Sequence, residues 1–280
     1  MNCQKALYNA KRILGYKSTK SPILDSEILL SFLLKIERNQ LLINLDQIIK
    51  KNDYEKFIKL ILRRKKGEPI AYIIGFKEFW KNKYFVNSDV LIPRPDSEVI
   101  VEESLKLIPK KAFFNILDVG TGSGCIILSI LKERKNCFGV GIDISLKALK
   151  VAKINAKMQQ INNRIKFINS DIDKFYFGKY DIILSNPPYI NSFGINYLEN
   201  DIKNYEPKVA LDGGIEGLSC IEKLIKKSPK LIKKKGKLFI EIGSNQLNKT
   251  KRLLYKKKFY INKIAKDLGN NDRCVLSTKH

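Results

Sequence analysis

Apolar residues in the first quarter of the chain recur at the spacing that lines one face of a helix: Ile13 and Leu14, Ile23 and Leu24, Ile28 to Leu30 with Leu34, Ile48 and Ile49, Phe57 and Ile58, Ile61 and Leu62. Ser21-Pro22 and Asp25 supply a helix start, and Gly67 supplies a stop ahead of Pro69. A small helical bundle is expected over residues 1–69. Residues 70–92 change character: β-branched and aromatic residues (Tyr72-Ile73-Ile74, Phe79-Trp80, Tyr84-Phe85-Val86) surround Lys81-Asn82-Lys83, the pattern of a β-hairpin connector and a domain boundary.

From residue 93 to 280 short apolar runs alternate with amphipathic segments. The expected strands are Asn115–Val119, Phe138–Ile142, Arg164–Asn169, Asp181–Ser185, Lys237–Ile242, Phe259–Ala265 and Arg273–Ser277. This alternation predicts an α/β domain with a doubly wound, mainly parallel seven-stranded sheet. The Gly269-Asn270-Asn271-Asp272 turn between the last two strands predicts an antiparallel pair at one edge. In such open sheets a ligand sits at the carboxyl ends of the strands, where strand order reverses.

Composition narrows the choices. With 280 residues, 44% hydrophobic and 29% charged, the chain can bury a sizeable core, and no apolar run approaches the roughly 20 residues of a membrane span. The start, Met1-Asn2-Cys3-Gln4-Lys5, has no apolar secretory core, so a cytoplasmic protein is expected. Cys3, Cys125, Cys137, Cys220 and Cys274 are scattered without a C-x-x-C pair, which argues against a disulfide framework and a metal site. The single histidine, His280, leaves no internal imidazole for a hydrolase triad or general acid–base pair. The net charge of +25 suggests an anionic partner, but only nine of 53 basic residues are arginine, as AT-rich codon usage would produce over the whole surface.

Three motifs carry chemistry. Strand 115–119 runs into Gly120-Thr121-Gly122-Ser123-Gly124, whose glycines let the backbone approach a ligand; it lacks both the dinucleotide fingerprint and the Gly-Lys-Ser/Thr of a P-loop. Asp143, at the next strand end, suits a ribose, and Asp171, after the third, suits an adenine amino group or a loop cap. Together these positions fit S-adenosylmethionine. After strand 181–185 comes Asn186-Pro187-Pro188-Tyr189. The prolines hold the backbone extended, so Asn186 and the Pro187 carbonyl can accept both hydrogens of one –NH₂ group while Tyr189 packs on its face.

The glycine turn and the Asn186–Tyr189 motif resemble those of class I methyltransferases that act on amide or exocyclic amino nitrogens. Gly67-Glu68-Pro69 to Gly75, Glu78-Phe79-Trp80, Leu91-Ile92-Pro93-Arg94-Pro95-Asp96-Ser97-Glu98, Glu206-Pro207 and Glu241-Ile242-Gly243 are similar to the bacterial peptide chain release factor glutamine methyltransferases, over nearly the whole chain. The resemblance implies methyl transfer from S-adenosylmethionine, with S-adenosylhomocysteine as product and no metal, to the glutamine side-chain nitrogen in the Gly-Gly-Gln motif of class I release factors. Gly120, Thr121, Gly122, Ser123 and Gly124 would line the methionine and ribose, Asp143 the ribose, and Asp171 with Ile172 the adenine, where the family often has an aromatic. Asn186 would touch both cofactor and substrate. Pro187, Pro188 and Tyr189 complete the substrate clamp, with Asn186, Pro187 and Tyr189 carrying catalysis. Arg94-Pro95-Asp96 favours the release-factor enzyme over a ribosomal-protein-modifying relative. Arg94 is a candidate for substrate contact, whereas Asp96 and Glu98 equally suit a helix start. Residues 1–69 would recognise the substrate. A monomer is expected, with no stable nucleic-acid partner and no membrane. The rival readings are an adenine-N6 nucleic-acid methyltransferase, a glutamine methyltransferase for a ribosomal protein, and a non-catalytic binding module.

Overall fold

Asn2 starts the first helix by accepting the Lys5 N–H on its Oδ1 at 3.0 Å, the ordinary cap for free amide groups. The computed structural model describes residues 1–279, apart from the side chains of Lys17 and Ser18; His280 lies outside the described residues. Two units are present. The first holds Met1–Gly75 and, from far along the chain, Glu199–Tyr205. Its helices are α1 (Cys3–Ser18), interrupted at Gly15, α2 (Pro22–Leu34), α3 (Arg38–Ile43), α4 (Lys51–Lys65) and α5 (Ile70–Ile74). They bury Ala6, Ala10, Leu14, Leu29, Leu30, Phe57 and Ile61 in one core.

A buried polar cluster ties α2 to α4: Arg64 Nε donates to Asp25 Oδ2 at 2.8 Å, Arg64 Nη2 to Thr19 Oγ1 at 3.1 Å, and Thr19 Oγ1 to Asp25 at 2.6 Å. The distant segment joins this end of the bundle. Asp201 stands 3.9 Å from Arg64, the Tyr205 hydroxyl donates to the Lys66 carbonyl, and Lys20 donates to Glu199.

Two expectations change here. The bundle runs to Gly75, past residue 69, and Tyr72-Ile73-Ile74 is helical where its residue types predict a strand. Pro69 opens this helix, Gly75 closes it at φ +78°, and Ile73 enters the bundle core; packing overrides a preference worth well under about 1 kcal/mol per residue.

The second unit opens with an antiparallel hairpin, β1 (Phe76–Phe79) and β2 (Asn82–Phe85). There follow α6 (Glu98–Leu107), β3 (Asn115–Val119), α7 (Cys125–Glu133), β4 (Phe138–Asp143), α8 (Leu146–Met158), β5 (Ile165–Asn169) and β6 (Tyr180–Ser185). After α9 (Asn200–Tyr205), which lies in the first unit, come α10 (Ser219–Leu231), β7 (Ile232–Glu241), α11 (Leu247–Lys256), β8 (Phe259–Lys266) and β9 (Asp272–Lys279). The seven-stranded sheet has the order β5-β4-β3-β6-β7-β9-β8, parallel except where β9 meets β7 and β8. Central strands are apolar on both faces: Ile116 and Leu117, Ile182 to Leu184, and Leu238 to Ile240 are buried. No helix among the described residues is long and apolar enough to cross a membrane.

Register decides where the strands end. Val119 pairs with Ile142 on one side and with Ser185 on the other, so Gly120, Asp143 and Asn186 leave the sheet at one level. Because β4 and β6 flank β3, their connections diverge and open a crevice there.

Asn155 of α8 holds three parts of this unit together. Fully buried, it accepts the Phe85 N–H at 2.7 Å and donates to the carbonyls of Phe85 and Ser123 at 3.0 and 2.8 Å. Asn155→Ala strands the hairpin end and the glycine turn without these partners, and urea denaturation should show a loss of about 2–3 kcal/mol. A loss below about 0.5 kcal/mol would mean that the hairpin is not anchored through this side chain.

Candidate active site

Beyond β3 the backbone takes left-handed φ at alternate residues, +71° at Gly120, +54° at Gly122 and +80° at Gly124, which glycine adopts without strain. At Gly124 a Cβ would also stand 3.0 Å from Leu128 Cδ1, so α7 packs directly on the turn. The turn is fixed from beneath. Thr121 Oγ1 donates to Asp118 Oδ2 at 2.7 Å, and Asp143 Oδ2 accepts the Gly122 N–H at 2.9 Å. Asp143 Oδ1 accepts the Ser145 N–H at 2.9 Å, where Ser145 caps α8. Burial pushes the Asp118 carboxyl up to about 7, opposed by the Thr121 hydroxyl and reinforced by the Asp143 charge. Asp143 is raised too, by burial, against the pull of the Ser145 and Gly122 N–H groups.

A cavity of about 550 Å³ occupies the crevice. Of the residues singled out from sequence, Gly120, Gly122, Asp143, Asp171, Ile172, Asn186, Pro187 and Pro188 line it. Thr121 and Ser123 are buried and do not line it, nor do Gly124 and Tyr189. Thr121 holds the wall through Asp118, and Gly124 through its contact with α7. Asp171 lines the cavity, and its Oδ1 caps the Ile172–Lys174 turn by accepting the Asp173 N–H.

At the cavity mouth, Ser185 Oγ donates to the Val119 carbonyl at 2.8 Å, locking β6 to β3 where the Asn-Pro-Pro-Tyr segment begins. Asn186 Nδ2 donates to Ser97 Oγ at 2.9 Å, which leaves Oδ1 as the acceptor of this side chain. Ile190 pairs with the backbone of Leu211 and Gly213, and Gly213 sits so close to Pro188 that a Cβ would meet its carbonyl oxygen at 2.7 Å. The Tyr189 carbonyl accepts from Gln246 Nε2 at 3.0 Å, and its hydroxyl donates to Glu241 Oε1 at 3.4 Å. Burial first, then the Glu241 charge, pushes the Tyr189 phenol up to about 12, so it stays protonated.

Four of the five residues from Arg94 to Glu98 meet a distant partner through their side chains. Arg94 pairs with Glu206, whose other oxygen accepts the Ile92 N–H; Asp96 meets Arg273 at 3.1 Å; Ser97 meets Asn186; and Glu98 accepts the Trp80 N–H at 2.7 Å. Arg94 is thereby engaged within the protein. Four contributors were not legible as site residues. Ser97 and Gln246 position the clamp, Gly213 admits its close approach, and Lys223 of α10 lines the cavity beside Asp171 at 3.7 Å. Ser97 was visible only inside the family-like run Leu91–Glu98, and the Gly213-Gly214 pair is the other sequence signal among them.

Family models described as "PrmC N-terminal domain" and "Methyltransferase small domain" match residues 5–75 and 100–198. A methyltransferase from Pyrococcus furiosus shares the fold with a TM-score of 0.53 at 19% identity, over 70% of this chain and 88% of that one. The chain is 38% identical over 264 residues to the release factor glutamine methyltransferase of Fusobacterium nucleatum, spanning 92% of this chain and 74% of its relative. Against the enzyme of that name from Buchnera aphidicola, identity is 41% over 96% of this chain and 97% of the other. Likeness at this level, end to end and not confined to the sheet, places the chain in the release factor glutamine methyltransferase family.

Proposed function

We propose that the cavity at the ends of β3, β4 and β6 holds S-adenosylmethionine and that its mouth presents the glutamine of a Gly-Gly-Gln motif in a class I release factor. One observation carries the reading most: Asn186, its amide nitrogen tied to Ser97, offers Oδ1 as an acceptor on the cavity that Asp143 and the glycine turn also line. The cofactor fits what is there. The volume lies within the about 300–1,000 Å³ usual for small-molecule sites. Each Asp143 oxygen accepts one backbone N–H and keeps a lone pair for a ribose hydroxyl. Ile172 supplies an apolar wall for an adenine edge beside Asp171.

When bound, S-adenosylmethionine supplies an electrophilic methyl on a sulfonium and leaves as S-adenosylhomocysteine. The chain's own residues deal with the nucleophile. An amide nitrogen is weak because its lone pair is shared with the carbonyl. Asn186 Oδ1 and the Pro187 carbonyl accept its two hydrogens, hold it in line, and favour the positive charge that grows on nitrogen. Tyr189, neutral and pinned through Gln246, packs on the amide face. The proton departs to water after transfer. An exocyclic adenine nitrogen would suit the same two acceptors, so labelled methyl should be offered to a release factor and to duplex DNA in parallel; incorporation into DNA alone would overturn this reading. The helical unit supplies a second contact surface for a folded factor, and the chain acts in the cytoplasm as a monomer.

Asp143→Ala removes the ribose acceptor and the Gly122 anchor together, a loss of about 1.5–3 kcal/mol. Calorimetry should show S-adenosylmethionine binding weakened at least about tenfold; an unchanged dissociation constant removes Asp143 from the site. Asn186→Ala leaves the turn intact, so cofactor affinity should move little while single-turnover methylation falls about a hundredfold. Wild-type turnover in this variant would sink the clamp.

A further inference from the structure

Codon usage can exchange arginine for lysine, but it leaves charge where it was, and the charge of this chain is unevenly placed. Eighteen of the 53 basic residues and only three of the 28 acidic ones stand in the last fifth of the chain, from Lys223 on. Part of that excess gathers in the second unit where β6 and β7 begin, at the end of the sheet opposite the cavity. Tyr180 pairs with Ile232 and Ile182 with Lys237, so β7 carries the four residues Lys233 to Gly236 where β6 carries only Asp181, and the backbone bulges. Lys233 is taken by Asp181 at 2.8 Å. Lys234 and Lys235 are exposed and, like Lys226 and Lys230 of α10, have no acidic partner among the described residues. Lys235 also holds a left-handed φ of +61°, a conformation that glycine adopts more easily.

Aromatic rings stand among these lysines. Tyr176 and Phe177, in the connection from β5 to β6, are 69% and 71% exposed, yet both rings are held. The Lys227 ammonium lies 3.3 Å from the centre of the Tyr176 ring while it donates to the Asp173 carbonyl, and Phe177 packs edge-on against buried Phe175 with 6.0 Å between ring centres. Rings fixed in this way and left in water forgo the gain that burial brings, which marks them as contact surface. Hydrogen bonds make the patch continuous. Lys179 Nζ donates to the Lys230 carbonyl and Lys279 Nζ to the Pro229 carbonyl, each at 2.6 Å, so the ring pair adjoins the end of α10, and α10 adjoins a groove of about 350 Å³ lined by Lys234, Lys235, Lys237, Tyr260 and Lys279.

We propose that this surface docks a single-stranded polynucleotide, held through its phosphates and the faces of its bases. Lysines supply point charges that follow a phosphate backbone, and release of its counterions drives the association. No arginine lines the groove to read base edges in pairs, so the binding is indifferent to sequence. Tyr176, Phe177 and Tyr260 supply platforms on which any unpaired base can stack. An acidic protein surface would use the lysines and leave the rings idle, and a duplex keeps its base faces hidden. The six residues of β6 put about 20 Å between this surface and the cavity, so a bound strand leaves the clamp free.

The test is fluorescence anisotropy of the full chain with a labelled RNA strand of mixed sequence, about 20 nucleotides long, from about 50 to 300 mM salt. Binding should be micromolar at low salt and weaken as salt rises, with a log–log slope of about −2 for some three phosphates neutralised. Lys234→Gln with Lys235→Gln, both exposed, should cut affinity at least about tenfold at low salt and make the slope shallower by about 1.4. Tyr176→Leu with Phe177→Leu, which keeps apolar bulk but removes the stacking faces, should cut it about tenfold with the slope unchanged. Both pairs should unfold at the wild-type temperature; if the ring pair does not, the lysine pair decides. A DNA strand of the same sequence names the source: equal binding fits a general strand site and tighter RNA binding makes RNA the occupant, and either supports the proposal. Absence of wild-type binding, a lysine pair or a folded ring pair that binds as wild type does, a duplex bound more tightly than the strand, or polyglutamate of equal charge competing as well as RNA overturns it, the last result assigning the surface to an acidic protein.

Discussion

A strand inside a sheet must satisfy its amide groups on both edges, and β3 does so with two neighbours whose connections leave in opposite directions along the sheet order. Everything at the site follows from that requirement. The register of Val119 with Ile142 and Ser185 brings three strand ends to one level. The helices after them diverge, so backbone N–H groups and strand-end side chains converge on space that no other element fills. Asp143 then closes a loop of constraint by holding the glycine turn of one strand from the end of another.

The electrostatics of the crevice run against those of the whole molecule. A chain of net charge +25 gathers the carboxyls of Asp118, Asp143 and Glu241 at or just behind one site. Most lysines lie at the surface, where water and salt screen them; the carboxyls lie where the dielectric is low and their influence is larger. The excess positive charge is thus a poor guide to the ligand of the cavity.

Local pattern revealed what local physics controls. The strand–helix alternation after residue 93, the glycine turn and the two prolines after Asn186 impose backbone conformations through their own residue types, so the order of elements and the cavity-lining positions at the strand ends could be read in advance. The helix at Ile70–Ile74 could not, because its β-branched residues are helical only once Ile73 has a core to enter. Nor could the partners of residues 94–98. Glu206 lies 112 positions from Arg94 and Ser97 lies 89 from Asn186, distances over which no periodicity carries information. Glu241 was visible as a family-like residue but not as a buried carboxyl, since nothing near it in sequence announces its burial.

The chain enters the second unit at Phe76, returns to the first for Glu199–Tyr205, and leaves it again at Glu206. Two autonomous modules joined by one linker would permit exchange of either by a single recombination event; three crossings do not. A gene fragment that supplied a different helical bundle would arrive without the counterpart of Asp201 and Tyr205, leaving the stretch after the Asn-Pro-Pro-Tyr segment with no Arg64 and no Lys66 carbonyl to meet. The bundle and the Glu199–Tyr205 segment are therefore obliged to diverge as one lineage, since neither can be exchanged without the other.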